Sequence, residues 1–337
     1  MTAAGAPLVL TLGDPAGVGP EIAVAAWRAL SVSGPVFAVI GDADVLRTQG
    51  APVQTITAIP DAAAVFRRAL PVLHRPVRAA VTPGAPEPAN AVAVADWIEE
   101  AVSLALSGEA SGVVTCPIAK APMYASGFRF PGHTEFIAEL TADAPFAGER
   151  GPVMMLTAKD LRACLVTIHL ALDQVAQTLS ADRVIRTAQV VDDALRRDFA
   201  IARPRLALAA LNPHAGEDGA LGMQEIEMLR PAARRLRDTG VDITDPRPAD
   251  TLFHDEARRE YDAAVCLYHD QALIPVKTLD FWGGVNATLG LPIIRTSPDH
   301  GTGFDIAGQG KARPDSLIAA LRLADEMAQS RAMSRAR

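Results

Sequence analysis

A chain of 337 residues, 49% hydrophobic and 21% charged, can bury a large core and has the length of about two domains. Its formal charge of -7, with no dense block of Lys or Arg, excludes a broad electrostatic footprint for nucleic acid or an anionic membrane surface, so local basic residues must meet any phosphate. Residues 1–7 are small and uncharged, and no run approaches the roughly 20 apolar residues that span a bilayer, so a cytoplasmic location is expected.

Short runs rich in Val, Ile and Leu, at residues 8–11, 36–40, 112–115, 153–156, 206–211 and 263–268, alternate with helical patterns, which predicts an α/β architecture. The first strand runs into Gly13-Asp14-Pro15-Ala16-Gly17-Val18-Gly19-Pro20-Glu21, which opens a helix at Pro20. The Gly17-x-Gly19 spacing suits a dinucleotide fingerprint, but the third glycine position falls on Ile22, too bulky for the close helix-strand packing of that motif, so a Rossmann domain is excluded. Two roles stay open for the loop: a tight strand-to-helix turn, or an anion site at the helix N-terminus.

Residues 90–107 predict a helix with Val94, Trp97, Ile98, Ala101, Val102 and Ala105 on one stripe, Asn90 as its cap and Gly108 as its stop. The segment Pro131-Gly132-His133-Thr134-Glu135-Phe136 sets a His and a Thr before a helical pattern, where free backbone N–H groups favour an anion; simple capping by Thr134 is the alternative. A helix follows Ser180, burying Val184, Ala188, Val191 and Leu195. Cys116, Cys164 and Cys266 are widely separated and read as buried thiols. Farther on, Lys277, Asn286 and Arg295 flank an apolar stretch in which Arg295 needs an anionic partner, either a ligand or an internal carboxylate. A last helix begins near Pro314, and the basic residues 330–337 are expected to fray.

His169, His214 and His269 each follow an apolar strand-like run. In an open α/β sheet the carboxyl ends of strands line the ligand crevice, so three imidazoles there can meet on one ion; each can equally be a satisfied hydrogen-bonding residue. Asp270, beside His269, suits an imidazole-orienting carboxylate, a proton acceptor or a helix cap.

Taken together, Gly132-His133-Thr134-Glu135-Phe136, Asn212-Pro213-His214-Ala215-Gly216, Tyr268-His269-Asp270-Gln271 and Asp299-His300-Gly301-Thr302-Gly303 resemble the 4-hydroxythreonine-4-phosphate dehydrogenase family of pyridoxal 5'-phosphate biosynthesis, over nearly the whole chain. The resemblance implies a two-domain isocitrate/isopropylmalate dehydrogenase-like fold with its active site in the interdomain cleft, residues 1–130 with 300–337 forming one domain and 131–299 the other. It implies a homodimer with an active site shared between subunits. His169, His214 and His269 become metal ligands, one reaching from the neighbouring subunit. His133, Thr134, Lys277, Asn286 and Arg295 become substrate-binding residues, and His300, Gly301, Thr302 and Gly303 line the NAD or NADP site. Asp270 and Lys120 are the candidate catalytic bases. Gly303 stands where relatives commonly carry Ala, which loosens the loop.

The implied reaction is metal-dependent oxidation of 4-phosphohydroxy-L-threonine to 2-amino-3-oxo-4-phosphooxybutanoate, which decarboxylates to 3-amino-2-oxopropyl phosphate. Three imidazoles suit Zn, Co or Ni, and an added carboxylate makes Mg or Mn acceptable. Rival readings are dehydrogenation of 4-phosphoerythronate, of a threonate analogue or of an aromatic dihydrodiol, and, in another class, a metal-dependent phosphohydrolase. The clustered carboxylates of a hydrolase are absent from the sequence.

Overall fold

The computed structural model describes residues 5–335, which divide into two compact units: residues 5–145 with 291–335, and residues 146–290. The first unit supplies β1 (Leu8–Thr11), β2 (Phe37–Gly41), β3 (Val53–Ile56), β4 (Leu70–His74) and β5 (Val113–Thr115). The second supplies β6 (Val153–Ala158), β7 (Leu161–Leu165), β8 (Arg205–Leu208), β9 (Asp242–Ile243), β10 (Ala263–Cys266) and β11 (Val285–Leu289). The chain then returns to the first unit for β12 (Arg295–Pro298). With helices between the strands, the architecture is mixed α/β, as the alternating pattern predicts.

In the first unit the order is β3-β4-β2-β1-β5-β12, and every pairing is parallel. Helices cover both faces of such a sheet, so its central strands are apolar on both sides: every residue of β1, β2 and β5 is buried. Only β3, at the edge, exposes Gln54 and Thr55 to water. Because β1, β5 and β12 are neighbours running the same way, the segments that follow them, at 12–19, 116–120 and 299–303, gather at one edge.

The second unit has the order β11-β6-β7-β10-β8-β9, antiparallel at β11-β6 and β6-β7 and parallel beyond. Leu156, Leu161, Leu165, Leu252, Tyr261 and Val276 belong to its core. Here β7, β10 and β8 are parallel neighbours, and His169, His269 and His214 follow their carboxyl ends.

Several sequence expectations change in detail. The first long helix spans Pro88–Ser107, capped by Glu87, whose side chain accepts from the Ala89 N–H. Asn90 lies inside that helix and turns its Oδ1 to the Arg78 and Ala79 N–H groups instead. The helix His133–Leu140 starts from Gly132 without a side-chain cap, so Thr134 is not the cap. The last helix, Asp315–Arg335, continues through the region expected to fray; residues 336 and 337 lie outside the described residues. The helix from Ser180 forms as Ala181–Phe199, the Ser180 side chain accepting from the Arg183 N–H. All three cysteines are buried and free, and burial pushes the Cys164 thiol up to about 12. No helix among the described residues is long and apolar enough to cross a membrane.

Candidate functional site

In the first unit, Arg295 opens β12, beside β5, and is only 3% exposed. Its Nη2 donates to Thr115 Oγ1, at the carboxyl end of β5, at 2.8 Å. Burial pulls the guanidinium down to about 10, against the supporting charge of Glu135. His133 and the buried Thr134 begin the nearby helix pattern with Glu135. His133 Nε2 is buried without a hydrogen-bond partner. Burial, and then the charge of Arg295, hold this imidazole well below its ordinary value of 6.5. A guanidinium beside the Thr115 hydroxyl and a neutral imidazole with an unused nitrogen are groups that can bind an anion. Sequence reasoning missed Thr115; its place at a strand end beside Arg295 becomes visible only once β5 and β12 are paired.

The depressed His133 value has a measurable sign. Below pH 6.5 the unfolded chain takes a proton on this imidazole that the folded protein refuses, so stability falls as pH drops below 6.5 and is constant on this account above it. His133→Gln is expected to flatten that part of the pH profile, as read by chemical denaturation; an unchanged slope in the variant means that another group sets it.

The glycine loop after β1 resolves as a packed turn. Its N–H groups are used internally: Ala16 donates to Asp14 Oδ1 at 3.0 Å, Gly17 to the Asp14 carbonyl at 3.0 Å and Val18 to the Thr302 carbonyl at 2.8 Å. A side chain on Gly17 would stand 2.8 Å from the Thr302 oxygen, so glycine permits this close approach. No N–H from these three residues is left for an anion; the loop instead braces the segment His300 to Gly303. His300 and Gly301 are exposed, and a Cβ on Gly301 would point into open space.

Gly303 does more than loosen this segment. It holds φ +56°, and a Cβ there would meet Val18 Cγ1 at 2.9 Å. Gly303→Ala is expected to destabilise the protein by about 1–2 kcal/mol, from the left-handed backbone alone. Thermal melts check this; a melting temperature at or above that of the parent protein would contradict this account.

The second unit carries the histidines. His169 is exposed beyond β7, and His269 opens the helix His269–Leu279; their ring centroids are 5.8 Å apart. His269 Nδ1 lies 2.8 Å from Asp270 Oδ1, an arrangement that turns Nε2 outward as a lone-pair donor when the proton sits on Nδ1. Two imidazoles, one oriented by a carboxylate, are a donor set that fits a borderline divalent ion. His214 is exposed in the turn at 213–219, where it, Ala215, Glu217 and Asp218 all have positive φ. Left-handed backbone costs roughly 1–2 kcal/mol per non-glycine residue, so this turn must be held by its surroundings. Among the described residues, no three His, Cys, Asp or Glu side chains form a group able to hold a metal ion. One chain thus brings His169 and His269 together but does not add His214.

Of the other expected residues, Lys277 lies on the His269–Leu279 helix with its Nζ 5.2 Å from the Phe281 ring centroid. Asn286, on β11, has its Oδ1 buried without a hydrogen-bond partner. Asp270 is exposed and engaged with His269, and Lys120 is exposed at the start of the helix Lys120–Ala125.

Comparison with known proteins identifies the family. Residues 34–324 match the model of the pyridoxal phosphate biosynthetic protein PdxA family. A 4-hydroxythreonine-4-phosphate dehydrogenase from Caulobacter vibrioides is 61% identical, covering 96% of this chain and 98% of that protein. The crystal structure of a 4-hydroxythreonine-4-phosphate dehydrogenase from Klebsiella pneumoniae is 36% identical, covers 96% of this chain and 99% of that one, and has a TM-score of 0.84. A terephthalate 1,2-cis-dihydrodiol dehydrogenase from Burkholderia xenovorans is 30% identical over 95% of this chain and 97% of that one, with a TM-score of 0.65. With its fold, its ordered motifs and most of its length in agreement, the chain belongs to the PdxA family of pyridoxal phosphate biosynthetic proteins.

Proposed function

We propose that the protein oxidises 4-phosphohydroxy-L-threonine to 2-amino-3-oxo-4-phosphooxybutanoate, with NAD or NADP as hydride acceptor and one divalent ion, Zn, Co or Mg, at each site. The resulting 3-oxo acid loses carbon dioxide to give 3-amino-2-oxopropyl phosphate. The observation that carries the substrate is His133 Nε2, buried without a hydrogen-bond partner and close enough to the buried Arg295 to feel its charge: an unsatisfied buried nitrogen is costly unless a ligand atom meets it.

Arg295, His133, Thr134 and Thr115 bind the phosphate, while Lys277 and Asn286 orient the rest of the substrate. His169, His214 and His269 hold the ion, and Asp270 keeps the His269 ring in the tautomer that leaves Nε2 free to bind it. The ion supplies Lewis acidity, lowering the pKa of the substrate hydroxyl. Asp270 or Lys120 would take the hydroxyl proton, and His300, Gly301, Thr302 and Gly303 would hold the dinucleotide, whose nicotinamide would supply the hydride acceptor.

The protein acts as a homodimer in this proposal. Leu172, Ile274, Phe281 and Trp282 of the second unit expose between 51% and 71% of their surface, apolar area that a second copy would cover. The partner would also contribute the imidazole that one chain does not add. Mixing the inactive variants His214→Ala and His269→Ala is expected to restore part of the activity through hybrid dimers. Two inactive parents giving an inactive mixture, with exchange of subunits verified, would place all ligands on one chain.

The likeness to the dihydrodiol dehydrogenase supports one second reading, an aromatic cis-dihydrodiol as substrate. The deciding experiment follows reduced-nicotinamide absorbance in metal-loaded protein given NAD or NADP and 4-phosphohydroxy-L-threonine, with a chelator control. 4-phosphoerythronate and a cis-dihydrodiol run in parallel. A chelator-sensitive signal with the hydroxythreonine phosphate is expected; preference for either other substrate would reassign the reaction within the same chemistry, and silence with all three would reopen the phosphohydrolase.

A further inference from the structure

The left-handed turn bearing His214 is tied down by one carboxylate. Glu225, the first residue of the π-helical turn Glu225–Leu229, is fully buried, and among the described residues it pairs with no cation. Its Oε1 accepts the backbone N–H groups of Leu211 and Asn212, both at 2.8 Å. Its Oε2 accepts Asn212 Nδ2 at 2.9 Å, and Gln224 Oε1 accepts the same amide at 2.7 Å. The carboxylate also borders the far side of the turn: a Cβ on Gly216 would stand 2.7 Å from Glu225 Oε2. Glu225 therefore touches the chain both before and after His214. A carboxylate buried on amide donors alone is an expensive way to fill a core position, and short π-helical segments of this kind recur at functional sites.

We propose that Glu225 is a positioning residue that acts through His214, fixing the entry and exit of its strained turn so that the imidazole is held ready for the metal. The inference rests on His214 being a metal ligand. Glu225→Gln turns one acceptor oxygen into an NH2 facing donors, which loosens the turn without creating a cavity.

Cobalt titration of the dimeric, full-length protein tests this. Glu225→Gln is expected to weaken Co2+ binding about 10- to 100-fold, while the metal-free protein stays folded but melts below the parent, because buried donors lose an acceptor. In a His214→Ala background the same change is expected to have no further effect on Co2+ affinity, because its route is already removed. Parental affinity in Glu225→Gln, or an equal loss in both backgrounds, overturns the proposal. Should Glu225→Gln fail to fold, Asn212→Ala removes the side-chain part of the latch and is expected to weaken Co2+ in the same direction; parental affinity there overturns it. If His214→Ala itself binds Co2+ normally, the metal assignment falls and this inference with it, whereas loss in His214→Ala with normal binding in Glu225→Gln refutes the positioning role alone.

Discussion

His269→Ala is expected, on the metal site proposed above, to abolish divalent-metal binding and to lower turnover by about 10³-fold or more. Lewis-acid stabilisation of a developing alkoxide is worth several kcal/mol, and each 1.36 kcal/mol is about a factor of ten in rate. The fold should tolerate the change. His269 is the first residue of its helix, its side chain is part-exposed, and alanine is well accepted in a helix. Metal-free parent and variant should therefore melt together, and only the parent should gain stability when metal is added. Metal content after gel filtration, the melting curves with and without metal, and nicotinamide reduction are the readouts. A variant that retains both its metal and its turnover would remove His269 from the ligand set, and Asp270 would then lose its orienting role.

Arg295→Lys tests the anion half with nearly as large an effect. The guanidinium is buried and directed in part by Thr115 Oγ1, and its fork can grip two phosphate oxygens, whereas an ammonium is a point donor on a flexible stem. Charge-assisted hydrogen bonds contribute about 1.5–3 kcal/mol each, so loss of the fork is expected to raise KM for the phosphorylated substrate about 10²-fold. Binding energy used equally in ground and transition states leaves kcat nearly unchanged. The parent and the variant should treat a substrate lacking phosphate alike, which separates lost recognition from a damaged fold. An unchanged KM with the phosphorylated substrate would argue that Arg295 is a structural cation, satisfied within the protein.

These two experiments address groups whose sequence signals differed in kind. Arg295 stood out because a charge in an apolar run demands a partner, and it is indeed buried. The histidines stood out by following apolar runs, and β7, β10 and β8 are parallel neighbours, which brings the segments after them to one sheet edge. Pattern alone could not supply that adjacency, since nothing in the sequence says that the run before His214 pairs beside the run before His269. Strands β3 and β9, two to four residues long and partly exposed, carry too few apolar positions for a periodic signal.

The capping readings that the structure does not realise have a similar cause. Asn90 and Thr134 are good cap residue types, but Glu87 had already closed one helix, and the other begins at His133 from a glycine. Local preference names the residue types that can cap a helix; tertiary contacts choose among neighbours. Glu225 is the extreme case, because a Glu in a polar stretch reads as solvated surface until the turn at 213–219 folds over it.

By itself, then, the sequence determined the α/β class, most central strands, the long helices and which polar residues stand out in or after apolar runs, because hydrophobic period and unusual polar residues in apolar runs are local properties. Tertiary structure decided which strands adjoin, that the glycine loop braces residues 300–303, that Thr115 directs Arg295 and that Glu225 holds the His214 turn. Each of those depends on contacts between residues distant in the chain, which burial and hydrogen-bond satisfaction select only when the whole core assembles.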